Sequence, residues 1–435
     1  MAQTVEQILN EAGAGRYQRR LLGIFGLVWA ADAMQVLAVG FTSASIADSF
    51  GITVPEALQI GSVFFLGMLI GASLFGRLAD RFGRRRVLLI TVACDAVFGF
   101  LSVFASELWV LFLLRFLTGI AVGGTLPVDY AMMAEFLPAR NRGRWLVILE
   151  GFWAVGTVAI ALAAWLASLY VPADAWRWIF AFTAAPALIG IWLRLWVPES
   201  PLYLLRQGKQ DQLRGVLNSV LSANGKAPLP QGTVIEQPEL KGEGIFSPTL
   251  RRRTLAILSV WFLVSISYYG IFTWLPARLA QEGFGYVRGY GFLVVVALAQ
   301  LPGYALAAWG VEALGRKPTL IGFLFLSALG CLLFLLARDP YLVGGSILVM
   351  SFALLGTWGA LYAFTPELYP TGSRATGMGA AGAVARLGGL LAPSVMAILI
   401  AQDFYWAIAL FAGFLLLGAL AARFIDAETR SMALG

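Results

Sequence analysis

The chain has 435 residues, of which 59% are hydrophobic and only 13% charged, and its mean hydropathy is +0.79. Such a composition excludes a soluble globular protein of this length and places the chain in a lipid bilayer. The net charge of +7 does not imply a nucleic-acid partner, because the basic residues fall in short segments between apolar runs instead of along one face.

Residues 1–20 form a polar lead without the apolar core and cleavage site of a signal peptide, ending in Arg16-Tyr17-Gln18-Arg19-Arg20. Twelve apolar runs follow, near 21–46, 57–79, 87–105, 108–136, 145–170, 175–197, 254–280, 288–312, 318–337, 341–366, 375–401 and 404–425. At about 1.5 Å per residue each is long enough to cross about 30 Å of hydrocarbon as a helix. Between the second and third lies Gly76-Arg77-Leu78-Ala79-Asp80-Arg81-Phe82-Gly83-Arg84-Arg85-Arg86. Backbone in lipid must be hydrogen-bonded within a helix or barrel, so this loop sits outside the hydrocarbon, and its arginines mark the cytoplasmic side. Gly76 and Gly83 let two helix ends approach and turn. Asp80 can pair with an arginine or with a neighbouring helix N-terminus, and Arg81 and Arg84 join it as candidate gating residues.

The other even-numbered loops, 140–144, 194–253, 316–317 and Arg374, are also arginine-bearing, as is the tail with Arg423 and Arg430; the odd-numbered loops hold only Arg177, Arg278, Arg288 and Arg338. This asymmetry places both termini in the cytoplasm. Residues 198–253 are the only long polar break. They read as a cytoplasmic linker, partly helical over 202–221, between a six-span unit at 1–197 and a second at 254–435 with its tail.

The two units are copies. Glu312-Ala313-Leu314-Gly315-Arg316-Lys317 echoes Asp80-Arg81-Phe82-Gly83-Arg84-Arg85, and Glu367-Leu368-Tyr369-Pro370 with Arg374 echoes Glu135-Phe136-Leu137-Pro138 with Arg142. Both pairs of stretches are offset by 232 residues (312 − 80 and 367 − 135). Two like-oriented repeats hold a site between them near the midplane.

Ionisable side chains inside spans cost roughly 2.5–3.5 kcal/mol each on insertion scales and mark candidate functional positions. With no histidine in the chain, a proton relay must use carboxylates, and imidazole-based metal sites are excluded. Cys94 and Cys331 lie in apolar runs without the spacing of a metal or redox motif. No metal and no cofactor is expected. Asp32 in the first span and Arg386 in the eleventh sit at similar depth, one from each unit. They are expected to face a central cavity, as an ion pair or sharing a charged substrate, with protonation of Asp32 loosening the link; a static tie between the halves is the alternative. Asp95, Asp129 and Glu150 complete an acidic set in the first half. Each is a candidate proton relay, since a carboxyl group out of water holds its proton more readily, while Asp129 and Glu150, in the cytoplasmic third, could equally be solvated vestibule acids.

Arg115 opens Arg-x-x-x-Gly-x-x-x-Gly with Gly119 and Gly123, a face that permits close helix packing. The second half supplies aromatics and an amide: Tyr268, Tyr269, Gln300, Tyr304, Trp358 and Tyr362. Such groups stack on flat or cationic ligands and present polar edges. Trp274, near a span end, reads as an interface anchor. Glu135 and Glu367 are expected to pair with Arg84, Arg142, Arg316 or Arg374 and to latch one conformation.

The 76–86 loop resembles the signature between the second and third helices of the major facilitator superfamily. That resemblance implies an all-α membrane protein of twelve transmembrane helices in two six-helix bundles, rocking about a central site, with no enzyme activity. The Arg115 pattern is similar to the second signature of the superfamily, which implies an arginine near the proton path. Pro198-Glu199-Ser200-Pro201 and Glu428-Thr429-Arg430 resemble the sugar-porter termini, but Leu202 stands where an arginine is usual, and Ser267-Tyr268-Tyr269-Gly270 replaces the paired glutamines.

Trp29-Ala30-Ala31-Asp32-Ala33-Met34, Gly123-Gly124-Thr125-Leu126-Pro127-Val128, Leu149-Glu150-Gly151-Phe152-Trp153, Tyr268 to Pro276, Thr365 to Pro370 and Arg386-Leu387-Gly388-Gly389 resemble the synaptic-vesicle-protein-2-related branch, which includes bacterial nicotinate transporters. Gln35 replaces an acid found in some relatives. The resemblance implies a proton-coupled secondary transporter for a small organic ion, with Arg386 suited to an aromatic carboxylate. Organic cation transport, drug/proton antiport, sugar symport and a non-transporting receptor are the alternatives. The absence of an N-x-S/T sequon favours a bacterial inner membrane, and a monomer is expected, with substrate, protons and lipid as its partners.

Overall fold

A peptide group inside hydrocarbon finds hydrogen-bond partners only within its own helix or barrel, so each apolar run is obliged to form a helix. The computed structural model describes residues 2–139, 142–236, 243–282, 289–400 and 404–429; Arg288, Arg430 and linker residues 237–242 lie outside them. The helices of the first unit are α1 (Val5–Ala12), α2 (Arg16–Phe50), α3 (Val54–Phe82), α4 (Arg84–Leu101), α5 (Leu108–Glu135), α6 (Arg142–Tyr170) and α7 (Ala175–Arg194). Two short helices follow, α8 (Pro201–Arg206) and α9 (Gln210–Ala223). The second unit holds α10 (Arg251–Glu282), α11 (Tyr290–Leu298), α12 (Gln300–Ala313), α13 (Arg316–Leu336), α14 (Pro340–Phe364), α15 (Thr371–Ile400) and α16 (Phe404–Arg423).

The spans are therefore α2 to α7 and α10 to α16, with α11 and α12 sharing the eighth. Their boundaries follow from local chemistry. Thr53 and Glu56 form a capping box at the start of α3, and the Asp339 carboxylate accepts from the N–H groups of Tyr341 and Leu342 at the start of α14. The eighth span breaks at Ala299. Pro302 lacks the N–H that would bond back to Leu298, so the ladder cannot run straight through.

The duplication is visible in the packing. The second span lies on the fourth (α3 on α5), the third on the sixth (α4 on α7) and the first on the fifth (α2 on α6); the same three pairings recur as α12 on α14, α13 on α16 and α10 on α15. Between the halves, α3 meets α15, α2 meets α10, and α6 meets α11 and α14. The Gly119 and Gly123 face is a packing surface. A Cβ at Gly119 would stand 2.2 Å from the Phe64 carbonyl oxygen, and one at Gly123 would stand 2.2 Å from that of Met68. Gly123→Val should therefore abolish folded protein in the membrane fraction, measured by monodisperse yield after solubilisation, whereas Gly151→Ala, at a glycine with open space, should not.

Two parts of the chain are more ordered than a polar lead and a flexible linker. Residues 2–4 form strand β1, which pairs in parallel with β2 (Val234–Glu236) of the linker, and α1 buries Val5, Ile8, Leu9 and Ala12. Arg16, Arg19 and Arg20 belong to the first turns of α2.

Candidate functional site

A cavity lies between the two halves. Trp29, Phe65, Met68, Leu126, Glu150 and Trp153 line it from the first, and Tyr268, Tyr269, Tyr304, Leu355, Trp358, Tyr362, Gly382, Ala385 and Arg386 from the second. Its volume is about 50 Å³. On that measure one water needs roughly 10–15 Å³, so the space holds a few water-sized groups.

One acid and one base face this space. Arg386 is 9% exposed, with an unpartnered Nε, and among the described residues no carboxylate lies within ion-pair distance of it. Its guanidinium folds back over Gly382, one turn earlier on α15, where an added Cβ would meet Nη1 at 2.7 Å. Across the cavity Glu150 is 3% exposed. Its Oε2 accepts from the Tyr304 hydroxyl at 3.5 Å, while Oε1 has no hydrogen-bond partner; Trp29 and Tyr362 flank the carboxylate.

Aromatic rings form the walls. The Trp153 indole donates to the Tyr268 hydroxyl at 3.0 Å across the two halves. Tyr269 stands edge-on to Phe65 with ring centroids 4.5 Å apart. Trp358 and Tyr362 pack against Trp261, at 5.3 and 4.9 Å, which is itself fixed by a 2.8 Å bond to the Thr365 hydroxyl. A smaller cavity of about 20 Å³ adjoins Tyr268 and is lined by Phe41, Thr157, Phe272 and Gln300. Gln300 is fully buried and neither atom of its amide has a partner.

The halves meet on both sides of the central cavity. Toward the end that carries loop 76–86, the Tyr130 hydroxyl donates to the Tyr362 carbonyl at 3.2 Å. Toward the opposite end, Gly40 lies against the Thr273 backbone, Phe41 against Tyr290, and Ser394 bonds to Gln59 at 3.2 Å.

The anticipated acids divide between separate environments. Asp32 is buried, 2% exposed, but is not among the residues lining the Arg386 cavity. Glu150 stands there instead. The expectation of a solvated vestibule does not fit Asp129 or Glu150, since both are buried. Glu150 is eight residues into the 29-residue α6, about 12 Å at 1.5 Å per residue, so it stays in the cytoplasmic third of its span but faces the cavity between the halves.

Asp95 and Arg115 belong to a sealed polar network within the first half. The Gln35 amide donates to Asp95 at 2.9 Å and accepts from Arg115 at 3.0 Å. Arg115 also donates to Ser102 at 3.0 Å, and its guanidinium lies over the Phe180 ring at 4.3 Å. Gln35 thus bridges two buried charges. Gln35→Ala should destabilise the protein by about 1.5–3 kcal/mol, read as a loss of thermal stability, and Gln35→Glu, which replaces the donor to Asp95 with a second carboxylate, should not restore it.

At the arginine-rich end the repeat is exact in its pairing. Arg84 and Glu135 lie 2.6 Å apart, and Arg316 and Glu367 2.9 Å apart. Both offsets are 232 residues. Glu199 accepts from the N–H groups of Arg84 and Arg85 at 3.0 and 3.1 Å, and Glu428 does the same for Arg316 and Lys317, both at 2.9 Å. Ser200 donates to Glu135 and Thr429 to Glu367. The turns that bring the chain into these caps use Gly83 and Gly315 at φ +104 and +114, values that side-chain-bearing residues rarely adopt.

These ion pairs stay within each half. Arg142 pairs with Glu6 at 3.4 Å, Arg374 donates to the Pro366 carbonyl at 3.0 Å, and Arg81 lies over the neighbouring Phe82 ring. A Cβ at Gly76 would meet nothing, and the Asp80 side chain lies outside the described residues. Trp153, Phe65, Met68 and Leu355 were not singled out from sequence. Of these only Trp153 carried a signal, being three residues after Glu150 and hence on the same helix face.

Residues 18–434 match the family described as sugar (and other) transporter. The chain belongs to that family, within the major facilitator superfamily. The transporter is 36% identical to the niacin transporter NiaP of Acinetobacter baylyi, covering 89% of each chain. It is 37% identical to the putative niacin/nicotinamide transporter NiaP of Bacillus subtilis, over 88% and 89% of the two. Synaptic vesicle 2-related protein of Rattus norvegicus is 32% identical, over 99% of this chain and 82% of its own. The fold matches the proton:xylose symporter XylE with a TM-score of 0.78 at 19% identity, over 96% and 98% of the chains. The protein is a multi-pass membrane transporter with twelve membrane spans and not an enzyme.

Proposed function

We propose that the transporter carries a small aromatic carboxylate of the nicotinate type into the cell by alternating access, coupled to protons. The observation that carries this reading is the central cavity itself, where an unpaired guanidinium, an acid and a box of aromatic rings converge from the two halves. Arg386 offers a planar fork of donors that matches a carboxylate. Tyr269, Tyr304, Trp358 and Tyr362 offer faces and edges to a flat ring, and Gln300 offers a donor and an acceptor beside it.

Glu150 supplies the coupling. An ionised Glu150 and a substrate carboxylate in so small a space repel, so an anion enters favourably only when Glu150 is protonated. Proton and substrate then move together. The identity with transporters named for niacin supports the choice of an aromatic acid.

Units 1–197 and 254–435 rock about this cavity, with 198–253 joining them. The arginine distribution sets loop 76–86 and both termini on the cytoplasmic side of a cell membrane. The Arg84–Glu135 and Arg316–Glu367 pairs hold the ends of their own bundles and the two Gly-turn loops in shape for the closed cytoplasmic face. A cationic substrate is the second reading, favoured by the free Oε1 of Glu150 among aromatic faces.

The test is uptake into proteoliposomes with and without an inwardly directed proton gradient, using radiolabelled nicotinate, benzoate and an organic cation. The account expects gradient-driven accumulation of the aromatic acids. Accumulation of the cation alone, or uptake indifferent to the gradient, would overturn it.

A further inference from the structure

Residues 2–15 run across the arginine-rich face and touch three other parts of the chain. Thr4 and Gln7 close a capping box that starts α1. Strand β1 pairs with β2 in the register Ala2 to Val234 and Thr4 to Glu236. Helix α1 lays its apolar side on α9. Asn224, after α9, donates to the Gly13 carbonyl and to Gln18 at 2.9 Å each and accepts from the Tyr17 N–H at 3.1 Å. Asn10 accepts from the Ala139 N–H at 2.8 Å. The segment is thus a strap that clasps the linker to the loop before α6.

The strap also places one charge at the junction of the halves. Glu6 pairs with Arg142 of the first half. Arg374 of the second half donates to the carbonyl of Pro366, next to Glu367, at 3.0 Å, and a Cβ on Gly143, next to Arg142, would lie 3.5 Å from a Glu367 carboxylate oxygen. Two arginines from opposite halves therefore confront each other where the cytoplasmic face closes. Their repulsion opposes closure.

We propose that the amino-terminal strap is a gating element, in which Glu6 offsets the repulsion between Arg142 and Arg374 and so favours the conformation closed to the cytoplasm. The proposal rests on the alternating-access reading. It differs from a purely structural role for the strap, in which the apolar contacts of α1 would matter and the charge of Glu6 would not.

The experiment measures the distance between spin labels on Phe82→Cys and Leu314→Cys, which are exposed and symmetry-related at the ends of α3 and α12. It uses the full chain in liposomes with Cys94→Ala and Cys331→Ala. A second, longer population in the otherwise unaltered protein establishes rocking; a single distance would overturn alternating access itself. Given two populations, Glu6→Gln should shift their ratio roughly two- to five-fold toward the longer distance, the size of an exposed ion pair. The shift should shrink at high salt and vanish in an Arg374→Gln background. An unchanged ratio in Glu6→Gln, or a shift of the same size with Arg374→Gln present, would overturn the gating role and leave rocking intact.

Discussion

Arg386→Gln should abolish binding and uptake of the aromatic acid while leaving the protein folded. The guanidinium has no carboxylate partner among the described residues, and on the proposed reading the ligand completes it. Truncating one member of a desolvated charge pair costs about 2–5 kcal/mol, or roughly thirty- to several-thousand-fold in affinity. In the unliganded state the sign reverses. A buried, uncompensated cation opposes folding, so Arg386→Gln should melt at the same temperature as the unaltered protein or higher. Arg386→Lys keeps the charge but loses the planar fork, and should retain weak binding. Titration of the purified variants with nicotinate, alongside thermal unfolding, checks both halves of this expectation. Loss of binding together with loss of folded protein would assign Arg386 a structural role instead.

The second large effect belongs to Glu150. Glu150→Gln imitates the protonated acid and keeps an acceptor for the Tyr304 hydroxyl, so the cavity should still accept the anion. Exchange of labelled for unlabelled substrate across the membrane should persist at a similar rate. Accumulation driven by a proton gradient should fall to the background of empty liposomes, because the group that carries the proton is gone. Asp32→Asn, outside the cavity lining, should keep gradient-driven uptake. Should Asp32→Asn remove accumulation and Glu150→Gln spare it, the coupling acid would be Asp32.

The spans, their repeat and the paired loops were legible because each has a local cause. A bilayer fixes the length of an apolar run, and a shared offset of 232 residues ties Arg84 to Arg316 and Glu135 to Glu367 whatever the packing. Trp29, Tyr268, Tyr269, Tyr304, Trp358, Tyr362 and Arg386, candidates on sequence grounds, line one cavity, because polar or aromatic residues deep in a span have few other places to go.

The rotation of each helix was not legible. Trp29 and Asp32 are three residues apart on α2, yet Trp29 lines the cavity and Asp32 does not. Which of two near neighbours faces a shared space is decided by the helices packed around it, and no period in α2 records that. Glu150 was legible as an acid in the cytoplasmic third of its span, but not as a buried one, because the partners that enclose it, Tyr304 and Tyr362, come from the other half of the chain. The strap was missed for another reason. Its capping box Thr4-x-x-Gln7 is a local signal, but its partners Asn224, Ala139 and Val234 are distant in sequence, and pairings of that kind leave no trace in composition.

The central claim is that one cavity receives an anion at Arg386 and a proton at Glu150 together. Proton uptake on substrate binding, followed in weakly buffered solution with purified protein, tests it most directly. The account predicts that, at a pH high enough to ionise Glu150 in the free protein, adding nicotinate makes the solution more alkaline with the unaltered protein and leaves it unchanged with Glu150→Gln, although both bind. Binding by the unaltered protein without proton uptake, or equal uptake by Glu150→Gln, would contradict it.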